Sequence, residues 1–243
     1  EIQRKYFLVV LFSMFISNSV MAEDIAITPL EGFPSTEHGY ELGVSACYAG
    51  CIGDMLIMAG GANFAEKPVT EGGKKCFYNG RYGAKLSSSD TLCWEMIGEL
   101  PKALAYGATV SLDNRLIFIG GSTAEGSVSF VFSVELKNGK AVISQLPSLP
   151  LVLDNCSATV TDGKIFVVGG SSDGKEQNSV YVLDTKKKDA QWEIIKKYKK
   201  VPQRDRIGMQ TVSVVSKGEL MILGGFSNAD DSHSAEVYDG PSG

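Results

Sequence analysis

Four runs of continuous apolar residues divide the chain, and each runs into a pair of glycines. They are Met55-Leu56-Ile57-Met58-Ala59 before Gly60-Gly61, and Leu116-Ile117-Phe118-Ile119 before Gly120-Gly121. Next come Ile165-Phe166-Val167-Val168 before Gly169-Gly170, and Leu220-Met221-Ile222-Leu223 before Gly224-Gly225. Short unbroken apolar runs bounded by turn residues read as strands buried on both faces. A polar turn precedes each run: Gly53-Asp54, Asp113-Asn114, Asp162-Gly163 and Lys217-Gly218. Such dipeptides close tight hairpins, so an earlier strand lies on the near side of each turn. The third repeat shows the rest of the unit, with a third strand at Ser179–Leu183 and a fourth at Gln191–Ile195. The second glycines stand at 61, 121, 170 and 225, at intervals of 60, 49 and 55 residues. A four-strand unit recurring at this period predicts an all-β propeller of four-stranded antiparallel blades.

Aromatic residues keep the same beat. Gly170, Tyr181 and Trp192 are spaced by 11 and 11 residues, and Tyr82 and Trp94 take the same places in the first repeat. Rings at those places are expected to fill the space between neighbouring sheets. Glycine pair, Tyr and Trp in this order resemble the kelch family of β-propellers. The resemblance covers about residues 42–243, with repeats at about 42–100, 104–150, 155–201 and 208–243. The second repeat departs from it, with Phe132 near the Tyr place and no Trp. About four blades are expected in residues 23–243, the last without its outer strand. Residues 24–31 read as an orphan outer strand. Joined to the last blade, that strand would close a four-bladed ring; the reading adopted is a truncated larger ring.

Residues 1–22 are a separate unit: Arg4 and Lys5, an apolar run from Tyr6 to Ile16, then small residues ending at Val20 and Ala22. This is the pattern of a secretory signal peptide, and the run is too short to span a bilayer comfortably. An exported protein with no membrane attachment after cleavage is the expectation. The remaining composition is that of a globular protein, with 44% hydrophobic and 21% charged residues. A net charge of −5 argues against a nucleic-acid partner. Five cysteines, an odd number without a framework spacing, favour free thiols over disulfides. His38 and His233 lie too far apart in sequence to suggest a metal site, and no cofactor is implied.

Ligands of propellers gather where the b–c loops and d–a connections converge. The first b–c loop, Ala62 to Asn79, is unusually long, and long loops on rigid scaffolds commonly carry sites. Within the first two repeats, Gly60-Gly61-Ala62-Asn63-Phe64, Glu71-Gly72-Gly73-Lys74-Lys75, Ala105-Tyr106-Gly107 and Ile119-Gly120-Gly121 resemble the sialic-acid mutarotases. These are exported, six-bladed kelch proteins of the periplasm that exchange the α and β anomers of N-acetylneuraminate. The order of the resembling segments matches the cyclically permuted branch of that family. The resemblance therefore implies a truncated six-bladed ring, and the family's Glu and Arg catalytic pair falls outside this chain.

Mutarotation needs one group to take the anomeric proton, another to protonate the ring oxygen, and a cation for the sugar carboxylate. Glu71 and Asp205 are the acid–base candidates. Arg206 and Arg204, with Lys74 and Lys75, are candidates for the carboxylate clamp, and Asn63 and Tyr106 for hydroxyls or the acetamido group. Each has a structural alternative: Asn63 capping its own loop, Tyr106 packing, Asp205 pairing with an arginine, and Arg204 or Arg206 tying two blades. The expected partner is a small sugar acid, and a homodimer is allowed. The competing reading is a non-catalytic kelch propeller that binds glycan or protein.

Overall fold

The tight turns and glycine pairs produce a chain of up-and-down sheets. The computed structural model describes residues 31–86, 91–195, 209–227, 230–231 and 235–238. The first blade contains β1 (Tyr48–Ile52) and β2 (Met55–Ala59), a small hairpin of β3 (Ala62–Asn63) and β4 (Cys76–Phe77), then β5 (Gly80–Lys85) and β6 (Glu95–Glu99). The second has β7 (Ala108–Leu112), β8 (Arg115–Ile119), the hairpin β9 (Ser122–Thr123) and β10 (Gly126–Ser127), then β11 (Val131–Lys137) and β12 (Lys140–Gln145). The third has β13 (Ser157–Thr161), β14 (Lys164–Val168), the hairpin β15 (Ser171–Ser172) and β16 (Lys175–Glu176), then β17 (Val180–Asp184) and β18 (Trp192–Ile194). The fourth has β19 (Val212–Ser216), β20 (Glu219–Leu223), the hairpin β21 (Phe226–Ser227) and β22 (Asp230–Asp231), and β23 (Ala235–Tyr238). Among the described residues the strands of each blade pair antiparallel in chain order, β1-β2-β5-β6, β7-β8-β11-β12, β13-β14-β17-β18 and β19-β20-β23, and one parallel bridge joins Glu31 to Thr91. The signal-peptide segment and all of the expected orphan strand except Glu31 lie outside the described residues.

The apolar runs are unbroken because each middle blade is sandwiched. Leu116 and Phe118 of β8 face the first blade, joining Tyr48, Ile52, Ile57 and Ala59. The alternate residues Ile117 and Ile119 face the third blade, joining Ile165, Val167, Tyr181 and Leu183. In β14 the division repeats, with Phe166 and Val168 meeting Leu220 and Ile222 of the fourth blade. A strand side chain points to one face or the other, so a strand buried on both faces has no polar position to spare. The outer blades differ: Met58, on the first blade's other side, packs against Tyr40, Tyr78 and Tyr82 and is half-buried, as is Met221 of the fourth blade.

The rings fill the gaps between blades. Tyr181 belongs to the cluster shared by the second and third blades, and Trp192 packs beside it, donating its indole N–H to the Pro147 carbonyl at 2.7 Å. Phe132 pairs with Phe118, just as Tyr82 pairs with Met58 and Tyr181 with Val167. It therefore occupies the Tyr place in the second blade, without a hydroxyl. Tyr82 lies on the first blade's other side, where Glu37 accepts from its hydroxyl at 2.7 Å and from the Gly80 N–H at 3.1 Å.

All five cysteines are free thiols. Cys51 and Cys93 are exposed, whereas Cys156 packs against the core shared by the second and third blades. Burial pushes the Cys156 thiol up to about 12 from 9.0. A raised thiol favours the neutral form in the fold, so its stabilisation is complete below pH 9 and is lost as pH rises towards 12. Unfolding temperature is expected to fall above pH 9, with about 1 kcal/mol lost by pH 10 from this thiol. Cys156→Ala should flatten the profile between pH 9 and pH 10; an unchanged profile would refute the assignment. Above pH 10 the buried Tyr40, Tyr48 and Tyr82 hydroxyls, all pushed up by burial, add a loss of the same sign.

Candidate functional site

One step of the chain recurs at the hub of every blade. Just before each inner strand, the residues Ala46, Tyr106, Asn155 and Gln210 adopt positive φ, between 49° and 64°. The Tyr106 N–H donates to the Ala46 carbonyl at 3.0 Å, Asn155 to Tyr106 at 2.7 Å, and Gln210 to Asn155 at 2.9 Å. This series of backbone bonds links four blades around the hub. The preceding residue of each step pairs with the first residue after the glycine pair, as Ser45 with Ala62, Ala105 with Ser122 and Asp154 with Ser171. The steps and the b–c hairpins thus meet on one end of the propeller.

On that end the first and second blades assemble a cationic aromatic patch. The Lys75 ammonium donates to the Tyr106 hydroxyl at 2.7 Å. It lies 4.6 Å from the centre of the Tyr106 ring and 5.7 Å from that of Phe64. Phe77 meets Tyr106 edge-on at 6.3 Å. The β3–β4 hairpin holds Phe64, Lys75 and Phe77, and the hub step holds Tyr106. Lys75 is exposed and retains two further N–H donors, while the phenol, used as an acceptor, keeps its own proton to donate. The pair therefore offers a cation and an O–H donor side by side, with apolar rings around them.

The other expected residues fall differently. Asn63 is engaged by the scaffold: its amide donates to the Gly39 and Gly43 carbonyls at 2.7 and 2.8 Å, and its oxygen accepts from Tyr78 at 2.8 Å. Glu71 ends a 3-10 turn, Val69–Glu71, on the long insertion and is exposed. Lys74 is exposed beside it on the same insertion. Arg204, Asp205 and Arg206 lie outside the described residues.

Asp154 escaped the sequence reading as a site residue. It occupies the hub step beside Tyr106, and its carboxylate accepts from Ser122 at 2.8 Å, Ser127 at 2.7 Å and Asn155 at 2.8 Å. The corresponding residues of the first two blades are Ser45 and Ala105. An oriented carboxylate here is thus particular to the third blade's step. The signal that could have found it is the polar pair Asp154-Asn155 directly after the apolar run Leu151-Val152-Leu153 in a connection on the site face.

Comparison with known proteins places this architecture. A domain described as the KLHDC2/KLHL20/DRC7 kelch-repeats domain matches residues 43–239. The chain belongs to the kelch-repeat family. Among solved structures, this kelch chain resembles one titled "Structure of YjhT", with a TM-score of 0.61 and 14% identity over 75% of this chain and 59% of that one. At that identity the likeness is one of fold, and it agrees with a partial propeller ring. Relatives include a protein named N-acetylneuraminate epimerase from Vibrio vulnificus (strain YJ016), 33% identical over 103 residues. That match covers 40% of this chain and 27% of the relative. A protein of the same name from Escherichia coli O1:K1 is 33% identical over 106 residues, 42% of this chain and 29% of its own length. The kelch chain thus spans under a third of these relatives in the matched stretch.

Proposed function

We propose that this kelch chain belongs to an exported mutarotase that interconverts the α and β anomers of N-acetylneuraminate or a closely related sugar acid. The observation that carries the reading is the Lys75–Tyr106 pair, an exposed ammonium bonded to a phenol at 2.7 Å on the b–c end. A carboxylate at an anomeric carbon calls for that combination of a point charge and a directional donor. The aromatic rings beside it suit the methyl of an acetamido group. The names of the relatives supply the substrate class.

In the reaction, a base removes the anomeric hydroxyl proton while an acid protonates the ring oxygen, opening the ring to the ketone. Reclosure on the other face returns both protons. Lys75 and Tyr106 hold the carboxylate still while the anomeric carbon changes configuration. We assign acid–base work to Glu71 and Asp205, with Arg204, Arg206 and Lys74 as further anion donors. Asn63 serves the reading by bracing the hairpin that carries Lys75, through its three scaffold bonds. We read the repeat order as a cyclic permutation of the mutarotase ring and residues 1–22 as its export signal, which sends the protein to the periplasm.

A second reading, a propeller that binds glycan without turning it over, is favoured by the cluster of Phe64, Phe77 and Tyr106 rings around Lys75. Proton NMR of freshly dissolved α-N-acetylneuraminate separates the two. A mutarotase shortens the approach to anomeric equilibrium in proportion to protein concentration, and does so less for the methyl ester, which lacks the charge. Unchanged kinetics with saturable broadening of the sugar signals would overturn the enzyme reading in favour of the binding module.

A further inference from the structure

A cavity lies away from the Lys75 patch, between the second and third blades. It has a volume of about 350 Å³ and is lined by Arg115, Ile117, Leu146, Pro147, Leu183 and, on its outer rim, residues 185 and 188–191. A volume of roughly 300 Å³ or more is within the range of small-molecule sites. The walls are apolar: Ile117 and Leu183 are 0% and 1% exposed and belong to the core shared by the two blades. The rim joins the turn between β7 and β8 to the turn between β17 and β18. Both turns lie at the strand ends opposite the b–c hairpins, so this cleft is separate from the candidate site.

Its chemistry centres on Arg115. The Nε of that guanidinium is buried and has no hydrogen-bond partner among the described residues. Its acidic contact is Asp113, at a loose 3.8 Å across the tight turn, with the Asp113 side chain 73% exposed. Glu135 stands opposite Arg115 in the sheet, but its carboxylate is taken by Lys137 at 2.8 Å. Lys188 and Asp189 share the far rim and are both exposed, so their charges offset each other in solvent. What remains is an apolar chamber with an under-used guanidinium at its mouth. A buried N–H left without a partner is costly, and an incoming acceptor relieves that cost. An ionised carboxylate fits the guanidinium fork better than a neutral acceptor does.

We propose that this inter-blade cleft binds a small organic monocarboxylate with an apolar body, its carboxylate on Arg115 and its hydrocarbon against Ile117, Leu146 and Leu183. The under-used Arg115 guanidinium sets the charge of the ligand, and the apolar walls set its body.

Benzoate and its neutral isostere benzamide test this by titration into the full chain, followed by NMR of the arginine Nε–H and the Ile and Leu methyl signals. Benzoate is expected to shift the Arg115 Nε–H and the Ile117 and Leu183 methyls saturably. Benzamide should bind at least tenfold more weakly, and Arg115→Gln should weaken benzoate at least tenfold while leaving the tyrosine ring signals near Lys75 in place. Equal binding of the two probes, or benzoate shifts confined to the Lys75–Tyr106 patch, would overturn the proposal. The comparison of probes is made on the unmutated protein, so it decides the matter even if Arg115→Gln fails to fold.

Discussion

Gly121→Ala is expected to destabilise the propeller by about 3–5 kcal/mol, a large part of the roughly 5–15 kcal/mol available to a domain. The position has φ 110°, outside the region that side-chain-bearing residues tolerate. Strain of that kind costs about 1–3 kcal/mol. Space is equally short: a methyl at Gly121 would meet the Tyr48 hydroxyl and stand 2.6 Å from the Ala105 carbonyl. Overpacking against atoms that cannot give way costs a further 1–3 kcal/mol, roughly. Tyr48 is nearly fully buried and donates to the Gly120 carbonyl at 2.6 Å, so pushing it aside also disturbs a bond between the first two blades. Urea unfolding would read the loss as a lower midpoint at an unchanged slope. Gly139→Ala is the control, because φ there is also positive, 74°, but nothing lies within 4 Å of the added carbon. If the two substitutions cost the same, close packing at the hub is not what requires the glycine.

Lys75→Ala is expected to lower the protein-dependent rate of sialic-acid mutarotation about 10–100-fold, the equivalent of losing one charge-assisted hydrogen bond of about 1.5–3 kcal/mol. Lys75 is exposed, and its protein contacts are the Tyr106 hydroxyl and two ring faces. Removing it should therefore change stability by no more than about 1 kcal/mol. Tyr106→Phe keeps the ring and the cation but removes the phenolic donor, so a smaller loss is expected. Lys75→Arg keeps the charge and should retain part of the rate. Anomer kinetics at sub-saturating sugar, with thermal unfolding as the check on folding, distinguishes these variants. A Lys75→Ala protein that accelerates mutarotation as well as the parent would remove Lys75 from the mechanism.

The two predictions concern different kinds of information. Gly121 was conspicuous in the sequence because a glycine pair after an apolar run recurs four times. Its requirement follows from a neighbour 73 residues earlier, Tyr48, which no repeat spacing names. Lys75 was one of two adjacent lysines that sequence could not rank. The structure separates them: Lys75 reaches Tyr106 across 31 residues of chain, whereas Lys74 remains an exposed loop side chain. In the sequence Asn63 is a candidate for sugar hydroxyls or the acetamido group, with capping of its own loop as the alternative. The hairpin instead turns that amide towards two backbone carbonyls of the preceding connection, those of Gly39 and Gly43.

The repeat, the strand order and the turns are legible in the amino-acid pattern alone. Those depend on local chemistry: β-branched and aromatic runs, Asp-Gly and Asn-containing turns, and glycines where φ must be positive. The same pattern also identifies the insertion after the first glycine pair as the place where chemistry could gather. Which side chains meet depends instead on how the blades pack. Lys75 finds Tyr106, Asp154 collects two serines from the neighbouring blade, and Arg115 keeps an Nε without a partner among the described residues beside an apolar cleft. In a propeller each strand pairs with its neighbours in sequence, so topology is written locally. The sites lie between blades, where residues 30 to 70 positions apart are brought together by packing, and no local pattern specifies which of them will touch.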